Sequence, residues 1–430
     1  MLATVFYDVK LYGRVARRGV NVRRMRAKQA GVSAVVLASV VLSSLAVACH
    51  ASSEGTSAPS TIDVAGGVDP ENAGPLAPWL SDARVVVAGP DDTSLDCRTA
   101  ICRHNENTDL TTWNGALWFV HRTSNSQVLG PNSALHVYKS TDDGATFTRT
   151  ARIPAPPDRD VRDPHFYVVG NRLFVKALTR LPVLSARDSN VDTVTVEMHS
   201  DDGVAWSSFA PIAASKQSFW RIKEHAGTYF SASYADGDAS VTLFTSADGA
   251  SWTKGASIFD VAKDGPLETE LTFMPSGKLL ALVRVDGTDA EMMGDEGRLR
   301  TIACWADPPT YAKFTCPQEI LGERFDGPVS FFVGSRVFVI ARKHLQGTGR
   351  KRMSLFELGG NLEGGPLTVK DWGNFPSAGD TSYAGVVMKA DGRALVSWYS
   401  GQLAKDEPWI LGMIDPTNIW QGEIDFSKLQ

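Results

Sequence analysis

Three stretches decide how this chain folds: STDDGATF (Ser140 to Phe147), SDDGVAW (Ser200 to Trp206) and SADGASW (Ser246 to Trp252). Each is a Ser, a carboxylate, a Gly and then an aromatic. Asp and Ser side chains bond the backbone N–H groups of their own turn, and Gly supplies a positive φ at no steric cost. The closing Trp or Phe drops between neighbouring sheets. A recurrence of about fifty residues reads as one turn per blade of a β-propeller. At 430 residues the chain is long for one average domain, but propellers run longer than average as single units.

A second repeat, independent of these turns, points the same way. A turn Gly is followed by an apolar strand ending on a large polar residue in GALWFVHR (Gly115 to Arg122), GTYFSASY (Gly227 to Tyr234), GKLLALVR (Gly277 to Arg284) and GRALVSWY (Gly392 to Tyr399). GSRVFVIAR (Gly334 to Arg342) is one residue longer, and GNRLFVKAL (Gly170 to Leu178) has lost the polar end. Six copies predict an all-β, six-bladed propeller over residues 81–430. Equivalent strand ends converge on one end of a propeller's channel, so Arg122, Tyr234, Arg284, Arg342 and Tyr399 are expected to ring one cavity.

Ahead of the propeller, Arg23, Arg24, Arg26 and Lys28 precede the apolar run GVSAVVLASVVLSSLAVA, which leads into Cys49. Residues 1–49 read as a signal peptide, with Met25 as a candidate start. The other readings are an ordinary secretory leader or an uncleaved anchor helix. Residues 50–80 are rich in Ser, Gly and Pro and read as a flexible tether. The first 48 residues hold eight Lys or Arg and one Asp, so the chain beyond them is more acidic than the overall net charge of −5. That argues against a nucleic-acid partner.

Five cysteines include two close pairs, Cys97 with Cys102 and Cys304 with Cys316. Both are expected as disulfides formed outside the cytoplasm. His104 is the one further metal-ligand candidate near them, so no metal site is expected. Serine-hydrolase, P-loop and dinucleotide signatures are not evident, and no cofactor is expected.

The Ser-Asp-Gly-aromatic turns resemble the Asp-box (BNR) repeats of the sialidase, or neuraminidase, superfamily. That resemblance implies a structural place on the rim for Asp142, Asp202 and Asp248. LAVAC (Leu45 to Cys49) resembles the lipobox of bacterial lipoproteins, which implies lipidation of Cys49 and a cell-envelope location with that anchor as the only membrane contact. His50, in place of the Asp that retains such lipoproteins in the inner membrane, points to the outer one.

ETELTFMPSGKLLALVR (Glu268 to Arg284) resembles the sialidase pattern of a Glu beginning a strand and an Arg ending its partner, and DTSYAGVV (Asp380 to Val387) resembles the strand bearing the family's catalytic tyrosine. The resemblance implies an exo-α-sialidase, a glycoside hydrolase taking terminal sialic acid or a related carboxylated sugar. Tyr383 would be the nucleophile and Glu268 its base. Arg103, Arg284 and Arg342 would grip the substrate carboxylate, with Arg122 facing the same cavity.

The chemistry makes this set coherent. Planar guanidinium groups hold a carboxylate through paired, charge-assisted bonds. A carboxylate nucleophile would be repelled by a sugar bearing its own carboxylate, whereas a tyrosine hydroxyl is neutral at rest.

Two departures stand against it. CRHNENT replaces the family's Arg-Ile-Pro signature, and the loop TSNSQVLGPNS after Arg122, where the family carries its acid Asp, holds no carboxylate. Asp109 and Asp163 are the remaining candidates for a general acid. The alternative is a non-catalytic propeller that binds anionic glycans. RDPHF and FWRI place Arg162, Asp163 and Arg221 either in this cavity or in pairing between blades. The acidic loop Val285 to Gly297, with Asp286, Asp289 and Asp295, reads as a solvated insertion rather than a calcium loop.

Overall fold

The computed structural model describes Thr61–Ile62 and residues 76–430, apart from 129, 183–191, 215, 236–239 and 288–298. The leader, Cys49 and most of the tether lie outside the described residues, as do Asp289 and Asp295.

Almost every element is an antiparallel strand. Four separate four-stranded sheets begin at Asp160–Val169, Gln217–His225, Pro266–Phe273 and Asp326–Val333. The remaining strands form one nine-stranded sheet. Four of them run from His104–Trp113 through Ala116–Ser124 and Ala134–Ser140 to Phe147–Pro154, whose outer edge takes Thr61–Ile62. The other four are Thr381–Met388, Ala394–Gly401, Thr417–Ile424 and, from the start of the domain, Leu80–Val87. The expectation of six separate blades is corrected here: four stand alone, and the rest are fused. The cause is local. Thr417 pairs with His104 in a single parallel bridge that joins the two halves of the large sheet. Part of the segment read as a flexible tether is also ordered, because Thr61 and Ile62 pair with Thr148 and Phe147.

Each of the six Gly-led repeats becomes a second strand: Ala116–Ser124, Arg172–Arg180, Thr228–Ala235, Leu279–Val285, Arg336–Leu345 and Ala394–Gly401. The six strands preceding them, His104–Trp113, Asp160–Val169, Gln217–His225, Pro266–Phe273, Asp326–Val333 and Thr381–Met388, neighbour one another in that order and close back on the first. A ring of this kind leaves no central sheet edge to protect.

The core lies between neighbouring sheets. Val120 and Val137 pack with Val175 and Met198, and Phe338 and Leu355 with Val396 and Trp398. The Asp-Gly turns lock these contacts. In the second, Asp202 accepts from the backbone N–H groups of Val204 and Ala205, while Gly203 sits at φ 75°. A Cβ on Gly203 would lie 1.9 Å from the Trp118 ring of the neighbouring sheet. Asp142 and Asp248 bond their own turns in the same way. Both expected disulfides form, Cys97–Cys102 and Cys304–Cys316.

Candidate functional site

The ring strands share one irregularity. Each carries a β-bulge near its start: between Glu106 and Asp109, Arg162 and His165, Phe219 and Ile222, Pro266 and Thr269, Asp326 and Val329, and Ser382 and Gly385. A bulge re-aims side chains out of the pleat. In four of them the second residue is left-handed: Asn107 at φ 52°, Asp163 at 51°, Gly327 at 58° and Tyr383 at 49°. For a bulky Tyr this is a strained conformation, and strain of that kind collects at working sites.

The bulges bring together the residues expected to carry chemistry. The Tyr383 hydroxyl donates to Glu268 Oε1 at 2.5 Å. The other oxygen, Oε2, accepts from Arg284 Nη1 at 2.7 Å and from the Gly327 N–H at 2.8 Å. The Tyr383 ring packs between Trp220 and Tyr399, with centroids 5.5 and 6.2 Å away. Burial, then the negative charges of Glu268 and Asp163, push the Tyr383 hydroxyl well above its ordinary pKa.

Asp163 stands in the same electrostatic field. Its pKa is raised, first by burial and then by Glu268 and Glu106, against the pull of Arg162 and Lys176. No donor among the described residues holds its carboxyl. Asp109, the other acid candidate, is differently placed. It accepts from Arg221 Nη1 at 2.8 Å and from the Phe166 N–H at 2.8 Å. It is a fixed partner, so Arg221 serves pairing between strands rather than an open cavity.

The arginines do not form the expected triad. Arg103 is turned to the rim, where Asp91 and the Ile414 carbonyl hold its guanidinium at 2.7 and 2.8 Å. Its strand begins one residue later, at His104, so Arg103 is excluded from the ring. Arg122 is buried, paired to Glu106 and, at 2.8 and 3.0 Å, to Asp160. Arg284 and Arg342 do come together, but on a protein carboxylate. Asp326 lies 3.1 Å from Arg284 Nε and accepts from Arg342 at 3.1 and 3.2 Å, from Arg324 at 2.7 Å and from His344 at 2.7 Å. Despite burial, which acts the other way, these cations hold the Asp326 carboxyl well below the usual range. Arg284 is bound further by Asp286, at 2.7 and 3.1 Å.

Of the other strand ends expected around the cavity, Tyr399 donates to Asp380 at 3.2 Å. Tyr234 lies opposite Ser218 in its sheet and packs among the apolar residues between sheets. Asp326, Asp160 and Glu106 were missed in the sequence. The available signal was positional: Asp160 and Asp326 each open a ring strand.

No family model matches the chain, and none of the curated proteins matches it. Among solved structures, an unknown-function protein from Dyadobacter fermentans aligns with a TM-score of 0.55 at 17% identity, over 80% of this chain and 99% of that one. The α-L-arabinanase of Penicillium chrysogenum, complexed with arabinobiose, aligns with a TM-score of 0.54 at 15% identity, over 82% and 99%. A leech intramolecular trans-sialidase aligns with a TM-score of 0.54 at 11% identity, over 76% and 69%. Identities this low speak to architecture alone, and the architecture of the described chain is that of a sialidase-like, all-β propeller.

Proposed function

We propose that this chain is a glycoside hydrolase whose reaction centre is Tyr383, Glu268 and Asp163. The observation that carries the proposal is the 2.5 Å bond between Tyr383 and Glu268, with a buried carboxyl of raised pKa, Asp163, in the same field. A nucleophile needs a partner within hydrogen-bond reach, and a leaving oxygen needs an acid that is still protonated at working pH. Asp163 supplies what the loop after Arg122 lacks, and this favours catalysis over a propeller that only binds. In the ring sequence, the six bulged strands support counting the nine-stranded sheet as two blades, six in all.

The substrate we infer is an uncharged sugar, such as a terminal arabinofuranoside, rather than a sialic acid. Arg284 and Arg342 already face Asp326, and Arg103 faces outward. A substrate carboxylate would have to displace a buried Asp from its cations, which is costly. With a neutral anomeric carbon the repulsion that favours a tyrosine nucleophile disappears. Glu268 Oε1 then attacks carbon 1, the glycosidic bond breaks with its electron pair going to the leaving oxygen, and Asp163 protonates that oxygen. Water, deprotonated by Asp163, releases the sugar from Glu268 with net retention. Tyr383 orients Glu268 throughout.

The Tyr383–Glu268 contact also favours a second reading on a carboxylated sugar, in which Tyr383 attacks and Glu268 takes its proton. Aryl α-L-arabinofuranoside and aryl α-sialoside hydrolysis, compared for the wild type, Glu268→Gln and Tyr383→Phe, separates them. Arabinoside turnover abolished by Glu268→Gln and reduced about 10- to 100-fold by Tyr383→Phe supports the neutral-sugar reading. Sialoside turnover lost in Tyr383→Phe supports the second. Turnover of neither by the wild type, together with sugar-dependent stabilisation, returns the binding propeller.

The leader and LAVAC sequence support export with lipid attachment at Cys49, and the two disulfides fit an oxidising compartment. Metabolic labelling with a radiolabelled fatty acid, lost in Cys49→Ser, tests this.

A further inference from the structure

We propose that His104, Glu106 and Asp380 form a buried site for one divalent cation of the zinc class, placed on the seam where the two halves of the nine-stranded sheet meet. His104 and Glu106 come from the first ring strand and Asp380 immediately precedes the last. The His104–Thr417 bridge that fuses the sheet runs through the first of these ligands.

The geometry fits a small metal ion. His104 Nε2 lies 3.5 Å from Glu106 Oε2 and 3.3 Å from Asp380 Oδ2, and one ligand atom from each residue lies within 4.8 Å of the others. Two ligands bound about 2.1 Å from a tetrahedral zinc stand about 3.4 Å apart. All three side chains are buried, and neither His104 Nε2 nor Asp380 Oδ2 has a hydrogen-bond partner among the described residues.

The surroundings orient these atoms inward. His104 Nδ1 meets the Asp415 carbonyl at 2.9 Å. A carbonyl only accepts, so Nδ1 carries a proton and Nε2 is the atom turned toward the two carboxylates, where a metal ion would take the place of its proton. The outer oxygen of Asp380 accepts from Trp409 Nε1 at 2.8 Å and from Tyr399 at 3.2 Å, and the outer oxygen of Glu106 accepts from Arg122. Fixed tautomer and engaged outer oxygens are how outer-shell groups prepare metal ligands. Two carboxylates and a neutral imidazole balance a dication. The competing occupant is a proton: burial opposes it, but Asp380 and Glu106 raise the His104 ring to about 9.

The test uses the full chain, stripped with a chelator and desalted. Zn²⁺ is added, and bound metal is counted by elemental analysis after gel filtration beside thermal melts with and without chelator. Co²⁺ substitution reports the ligand field. The proposal expects one retained cation, a melting temperature raised by several degrees, and visible Co²⁺ bands, all lost in His104→Gln. Should that variant fail to fold, Asp380→Asn and the wild-type Co²⁺ spectrum decide in its place. Substoichiometric retention by the wild type, equal retention by a folded variant, or melts indifferent to metal and chelator would overturn it and leave a proton as the occupant.

Discussion

In the proposed reaction, Asp163 depends on where its backbone puts it. It is a left-handed bulge residue, and burial, with Glu268 and Glu106 adding to it against Arg162 and Lys176, raises its pKa. A raised carboxyl is an acid only below its own pKa, so kcat/KM falls as pH rises through that value. In Asp163→Asn this basic limb is expected to vanish. Hydrolysis of glycosides with poor leaving groups should drop about 10²- to 10⁴-fold, while activated aryl glycosides suffer much less. A uniform loss across leaving groups would remove Asp163 from the role. The Glu268-to-Arg284 spacing and Tyr383 were legible in the sequence through the resemblance of the strand segments that carry them, although both Glu268 and Tyr383 sit inside bulges. Arg103 misled because it lies one residue outside its strand, where side-chain direction cannot be read from alternation. The Asp326 hub was hidden because it depends on the bulge at Gly327, which is defined only against the paired strand.

At the scale of elements, the Ser-Asp-Gly-aromatic turns hold neighbouring sheets in register. Gly203 is needed twice, for its positive φ and for the space that the Trp118 ring takes. Gly203→Ala is therefore expected to cost about 2 to 4 kcal/mol, from the left-handed penalty and overpacking together. Chemical denaturation should show a lowered midpoint with the active-site kinetics of the folded fraction unchanged. A midpoint within error of the wild type would mean the turn is slack. These turns and the Gly-led strands were readable because their residue types are dictated locally. The bulges were not, since their insertion is defined only against the paired strand.

Across the whole molecule, several histidines are buried without charge. Burial lowers His121 to about 4 and holds His136 and His165 well below the ordinary value. The unfolded chain protonates them near pH 6.5, so folding is favoured above that pH and loses ground as pH falls toward their folded values. Each histidine contributes about 1.4 kcal/mol of lost stability per pH unit inside its window. Melting temperature is expected to fall steadily from pH 7 to pH 5, before most carboxylates titrate. A flat profile over that range would contradict the buried neutral state.

The strand Thr417–Ile424 bonds Ala394–Gly401 on one side and Leu80–Val87 on the other, so Leu80–Val87 waits for a partner made only after all six ring strands. Until Thr417–Ile424 has been made, the ring cannot shut. A premature stop just before Thr417 removes the clasp of the whole ring and would leave a product destined for proteolysis.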